Sequence, residues 1–298
     1  MADTKPKDEI IDSELAAALA RLGAAIAEND KAEGPKQPEP KPSTKVIQLP
    51  LWPEAAPGMP NPVIRSALFP AIQSKHRRLL DRENIAALDG VKILFTGRQW
   101  NQQDFDVAVA VFNLARNHPL GTVCHTSAHG LLKKLEWATG NEQHVQLHDT
   151  LIRLTNTFEV IGRRYEFFGA VIDGGIRDKL TKRYKLRVNP EIHILFGQGW
   201  TQIDSETRRK LRRKPLALWL QAQYASHRDP YPYSVEKLRE LSGSQTKALK
   251  GFRQNLRQAL VELEAAGAIA GWEIDPGDLV RVYKVPTITQ RRRKTRKP

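Results

Sequence analysis

The residues best suited to chemistry lie at 245–266, where Lys247, Lys250, Arg253, Gln254 and Arg257 share one face of an expected helix. At about 100° per residue they cluster roughly 120° from an apolar stripe of Leu249, Phe252, Leu256, Leu260 and Leu263. Such a stripe buries against a core. A basic face carrying an amide suits the major groove, where Arg pairs bidentately with guanine and Gln with adenine; the plainer use is a solvated helix surface. A less basic counterpart is expected at 144–158, with His144, Gln146, His148, Thr150 and Arg153. A third cluster, Arg208, Arg209, Lys210, Arg212, Arg213 and Lys214, opens an expected helix over 206–226. Those side chains suit phosphate clamping. Positive charge at a helix N-terminus opposes the macrodipole, which points to an anionic partner.

Catalytic constellations are missing from the sequence. There is no G-x-x-x-x-G-K-[ST] phosphate loop and no G-x-S-x-G nucleophile elbow. A DNA-nicking site would need a His-hydrophobic-His pair beside a tyrosine, and His193-Ile194-Leu195 lacks the second histidine. Cys124, His125 and His129 have no H-E-x-x-H glutamate and no second ligand pair, so they read as structural residues. The expectation is a non-enzyme with no cofactor and no metal.

These residues sit in a basic chain of 298 residues, with 47 Lys and Arg against 33 Asp and Glu and a net charge of +14. Residues 1–45 hold seven basic and nine acidic side chains, whereas the last eight, RRRKTRKP, hold six basic ones. The stretch 46–290 is therefore basic by itself, with 34 positive and 24 negative residues. Nucleic acid is the partner class this favours, with the tail as a non-specific contact. One cysteine excludes a disulfide scaffold. No apolar run approaches the ~18 residues of a membrane span, and no export signal opens the chain, so the cytoplasm is expected.

The elements that must position these side chains follow from periodicity. Residues 1–47 read as a disordered arm with a short amphipathic helix at 12–28 (Leu15, Leu19, Leu22, Ile26) and a Pro-rich linker. Residues 48–60 continue the linker. Helices are expected at 75–88, 101–117, 127–139 and 144–160, then β-segments at 164–172 and 182–188 about an Asp173-Gly174-Gly175 turn. A second series has helices at 206–226, 234–241 and 245–266, a C-cap at Gly267, and a hairpin over 272–285. Both series run short helix, glycine-marked turn (Gly140, Gly243), longer helix, hairpin. The fold class is thus α+β and helix-rich. Two tandem winged-helix domains, helix-turn-helix plus β-hairpin wing, are expected at 61–200 and 201–286, with a basic tail at 287–298.

Four stretches carry a resemblance: QLPLWPEAAPGMPNPVIRSALFPAIQ (48–73), HPLGTVCHTSAHGLLKKL (118–135), KPLALWLQAQYASH (214–227) and VEKLRELSGSQTKALKGFRQNLRQALVELEAAGAIAGWEID (235–275). In order and length they resemble the TrfA family of plasmid replication initiators. The resemblance implies two winged-helix domains on double-stranded origin repeats (iterons), opening of an adjacent AT-rich tract, and contact with single-stranded origin DNA. It also implies recruitment of the host initiator protein, replicative helicase and sliding clamp, and exchange between inactive dimers and DNA-binding monomers. Gln48, Leu49, Leu51 and Trp52 look like the sliding-clamp pentapeptide, Gln-Leu-(Ser/Asp)-Leu-Phe, departing from it at Pro50 and Trp52. The same residues suit an apolar strap packed on the first domain. A repressor on direct or inverted repeats would use the same two modules without replisome contacts.

Overall fold

A computed structural model describes residues 47–88 and 90–285. The expected arm up to residue 46, its helix at 12–28 and the tail at 287–298 lie outside the described residues.

The chain enters as an extended strap that leads into β1 (Gly58–Pro60) and α1 (Asn61–Ile64). Next come β2 (Leu79–Ile85), β3 (Lys92–Arg98) and α2 (Gln102–Ala115). A reciprocal capping box starts α2: the Asn101 side chain accepts from the Gln103 and Asp104 amides, and the Asp104 carboxylate accepts from the Asn101 amide. Then follow β4 (Val123–Ser127), α3 (Ala128–Lys134) and α4 (Asn141–Arg153). The strands β5 (Thr157–Ile161), β6 (Glu166–Gly169), β7 (Ile172–Arg177) and β8 (Arg183–Val188) complete the first module.

After α5 (His193–Gly197), strand β9 (Trp200–Gln202) pairs antiparallel with β1. Two helices, α6 (Ser205–Lys210) and α7 (Pro215–Ala225), lead into the second module. That module consists of β10 (Tyr233–Ser234), α8 (Val235–Leu241), α9 (Leu249–Ala265), β11 (Gly271–Ile274) and β12 (Leu279–Tyr283).

Each module has a strand, two helices and a hairpin in that order, and in each the early strand pairs with the last: β4-β8-β7 and β10-β12-β11. Phe252, Leu256, Leu260 and Leu263 turn one side of α9 into the second core, with Val235, Leu238 and Leu241 from α8 beneath it. Gly243, at φ +60, makes the α8–α9 turn, and its α-carbon lies so near Pro70 that a methyl there would meet the ring at 2.6 Å. Gly267 caps α9 at φ +79, as its position after the last apolar residue predicts. Gly140 differs: it is the N-cap of α4 at φ −70, an ordinary conformation for any residue.

Several expected elements are corrected. The 75–88 segment is not a helix but strand β2, because Leu80 and Ile85 point into the core while β3 supplies its backbone partners. The expected 144–160 helix stops at Arg153, where Thr157–Ile161 pairs with β3 instead. Strands β2-β3-β5-β6 make a four-stranded sheet with no counterpart in the second module. The 164–172 segment contributes β6 to that sheet rather than to the hairpin. Gly174 and Gly175 lie within β7, and the hairpin turns at Asp178, whose carboxylate accepts from the Leu180 and Thr181 amides at 2.8 and 3.1 Å. The 206–226 helix is broken in two: Arg213 sits at φ +66, and Pro215 bars its predecessor from helical geometry.

Helix α7 joins the modules. Its residues Ala217–Tyr224 are all buried, Gln221 and Gln223 included, so this stretch has no solvent face. Trp219 Nε1 donates to the Ser66 carbonyl (3.2 Å), and Arg65 Nη2 donates to that of Ser226. From the second module, the Ser242 carbonyl accepts the Ala71 amide (2.7 Å), and Gln245 donates to the His76 carbonyl (2.8 Å).

Candidate nucleic-acid interface

Helix α9 presents the side opposite its core stripe to solvent. The expected 245–266 helix begins only at Leu249, so Lys247 lies in the α8–α9 turn and not on the helix. Lys247, and Lys250, Gln254 and Arg257 on α9, are exposed, and their side chains make no hydrogen bond or ion pair among the described residues. No side chain among the described residues neutralises the charges of Lys247, Lys250 and Arg257. Arg253, on the same helix, is only 31% exposed in its side chain and is paired with Asp278 in the β11–β12 turn. Its Nε donates to Asp278 Oδ1 at 2.9 Å, and its Nη2 donates to Oδ2. Helical periodicity does not reveal this pair, because the two residues lie 25 positions apart.

The other expected contacts separate into inner and outer ones. Arg208 belongs to the interior, 6% exposed, and is corrected from a phosphate contact to a bracket between elements. Its guanidinium donates to Asp106 and Gln102 of α2 and to the Leu218 carbonyl and Gln221 of α7, above the Phe105 ring. Burial pushes the Asp106 carboxyl up, against the opposing pull of Arg208. The dipole argument for an anionic partner also fails for the first three cations of the 208–214 cluster, whereas Lys214 does stand at a helix N-terminus, as the N-cap of α7. Arg208, Arg209 and Lys210 occupy the last turn of α6, where positive charge is favourable, and Asp204 caps its N-terminus. Arg209 pairs with Glu136 (2.7 Å) and Arg212 donates to the Leu135 carbonyl (3.1 Å), so both lie against the α3–α4 turn. Arg213 is exposed.

On α4, Arg153 is engaged by Asp104 and Thr150 (2.8 and 2.6 Å), while Gln146 donates to Gln103 (3.1 Å). Arg153 is thus corrected from a free base reader to a partner of the α2 capping box. What α4 exposes is Glu142, Val145, Asp149 and Ile152, an acidic and apolar stripe. A row of outward cations lies instead on β8, where Arg183, Lys185 and Arg187 alternate with buried Tyr184, Leu186 and Val188. The period-two pattern RYKLRV held that signal.

One polar contact ties α4 to this hairpin. The Tyr184 hydroxyl lies 3.1 Å from His148 Nδ1. Burial and the nearby Arg177 hold the His148 pKa down, and burial pushes the Tyr184 pKa up. Both shifts favour the uncharged forms of the two groups that share this hydrogen bond.

Gln48, Leu49, Leu51 and Trp52 form the strap. Leu49 and Trp52 are 2% and 5% exposed, Trp52 Nε1 donates to Asn113 (3.0 Å), and its ring stacks on Phe196 with centroids 5.7 Å apart. Gln48, itself exposed, donates to the Arg116 carbonyl (2.9 Å), and Leu51 is 75% exposed. The two bulky anchors a clamp would need are buried against α2 and α5.

The sequence model of the TrfA protein family matches residues 36–283. This chain belongs to the TrfA family. It is similar, at 29% identity over 249 residues, to the plasmid replication initiator protein TrfA of Escherichia coli, with 77% of this chain and 63% of that protein aligned. The TrfA-family chain therefore spans less than two thirds of that relative's length. Among solved structures, the Pi initiator protein in complex with iteron DNA shares the fold with a TM-score of 0.51 and 13% identity, covering 78% of this chain and 99% of that one. Domains 2–3 of RctB give a TM-score of 0.47 at 12% identity, covering 75% and 96%.

Proposed function

We propose that this TrfA-family chain is a plasmid replication initiator whose two tandem winged-helix modules bind iteron repeats at the origin. In this reading α9 enters the major groove through Lys250, Gln254 and Arg257, Lys247 contacts the DNA from the turn before it, and the exposed cations of β8 hold phosphates. The observation that carries it is the unneutralised basic face of α9, set beside a hairpin in a chain of this family. Bound copies help open an AT-rich tract and recruit host replication proteins, without an ATPase or nuclease of their own. Opening about ten base pairs at ~1.4 kcal/mol per step needs on the order of 14 kcal/mol. Specific over non-specific binding gives roughly 4–10 kcal/mol per protein. Several copies on tandem repeats are therefore needed.

In the same reading a host sliding clamp engages the strap only after Leu49 and Trp52 leave their pocket. Nuclease footprinting of the chain on its own replicon's origin tests the proposal. Protection of tandem direct repeats is expected; protection confined to one promoter palindrome would replace it with a repressor.

A further inference from the structure

We propose that Asp278 is the positioning residue that commits Arg253 to a guanine; the proposal rests on the reading of α9 as the base-reading helix. The argument begins with the guanidinium's five N–H donors, arranged along two usable edges. Asp278 takes the Nε/Nη2 edge. That leaves the end-on edge, one hydrogen each from Nη1 and Nη2, with the spacing that meets guanine O6 and N7 together. An arginine held in this way has few rotamers left to lose on binding, so the contact is prepaid in conformational entropy.

The backbone fixes where the carboxylate points. Asp278 lies at φ +63, its amide donates to the Asp275 carbonyl (3.0 Å), and its own carbonyl accepts from Val235 (2.9 Å). The neighbouring cation Arg281 pairs with Glu273 and Asp275, so among the described residues the Asp278 carboxylate serves Arg253 alone. On α9, Lys250 and Arg257 lie three residues before and four residues after Arg253, one turn away on either side. Both are exposed, so Arg253 sits between two outward cations of the strip read as groove-facing. Sequestration is the competing account of the pair. It fits the geometry less well, because the side chain keeps 31% of its exposure and one edge of the guanidinium carries no bond among the described residues.

The test uses the full chain and a pool of duplexes with a randomised core, from which the preferred site of the unaltered protein is selected. Binding is then measured across all single-base-pair changes of that site for Asp278→Asn and Arg253→Ala, with melting temperature as the control for folding. Asparagine tolerates the left-handed conformation, so Asp278→Asn keeps the turn while weakening the grip on Arg253. Both variants should lose discrimination at one and the same G·C pair, on the order of 5- to 150-fold. Asp278→Asn should meanwhile bind random duplex more tightly, because a negative charge leaves the DNA-facing surface.

Full discrimination in Asp278→Asn at the pair lost in Arg253→Ala would overturn the proposal. So would tighter binding to every duplex with unchanged preference, the mark of a mask, or a uniform loss with a lowered melting temperature. If Arg253→Ala, Lys250→Ala and Gln254→Ala all keep every preference, the base-reading role of α9 itself has failed, and with it the premise.

Discussion

Arg208 and Arg257 carry the same guanidinium in opposite surroundings. Arg257 is exposed and unpaired among the described residues, whereas Arg208 is enclosed by Asp106, Gln102, Gln221 and the Leu218 carbonyl. Removing one member of a buried pair strands the other's charge, at about 3–5 kcal/mol. Arg208→Met should therefore lower the urea midpoint sharply, and adding Asp106→Leu should recover most of the loss. Unchanged stability with a weaker salt dependence of DNA binding would return Arg208 to the surface. The density of cations at 208–214 was plain in the sequence. Which of them turned inward was not, because Asp106 lies 102 positions away. On α9 the same arithmetic worked better, because the helical period alone separates Phe252 and Leu256 from Lys250 and Arg257. Arg253 lies at the border of the two faces, which is why it reaches the hairpin rather than open solvent.

Helices α8 and α9 and the second hairpin were legible because period and punctuation agree there. The four-stranded sheet was not: β2 reads LLDRENI, a charged segment whose strand form depends on pairing with β3. The strap was legible only as two alternatives, and the structure packs Trp52 under Asn113 and Phe196. Trp52→Ala should then cost roughly 3–5 kcal/mol in chemical denaturation; a peptide lying free of the body would lose nothing. The α4–β8 tie makes a further prediction. Its histidine has a depressed folded pKa, so below the ordinary value of about 6.5 the unfolded chain binds the proton more readily. The contact's contribution is present above that pH and is lost as pH falls toward the depressed value. An NMR titration should place the His148 midpoint below that of an exposed histidine, and His148→Gln should flatten the acid side of the stability profile. A His148 midpoint at or above the ordinary value would refute the tie.

Across the whole molecule the positive charge is divided by role. Some of it brackets the fold, as in Arg208 and Arg153, and some remains unneutralised on α9 and β8. The repeated order of strands and helices sets two long helices in one body, but only α9 turns a basic face outward. Net charge pointed to nucleic acid; the surface on which it acts emerged only once the internal ion pairs were known. The account therefore stands or falls on α9. The most direct measurement is competition binding of the full chain on a footprinted repeat and on random duplex of equal length, across a salt series, for the unaltered protein and for Lys250→Ala with Gln254→Ala. The account predicts that the repeat-to-random affinity ratio falls by about tenfold or more, and that the salt slope drops by roughly one for the lost cation. A double variant that keeps the full ratio would contradict it.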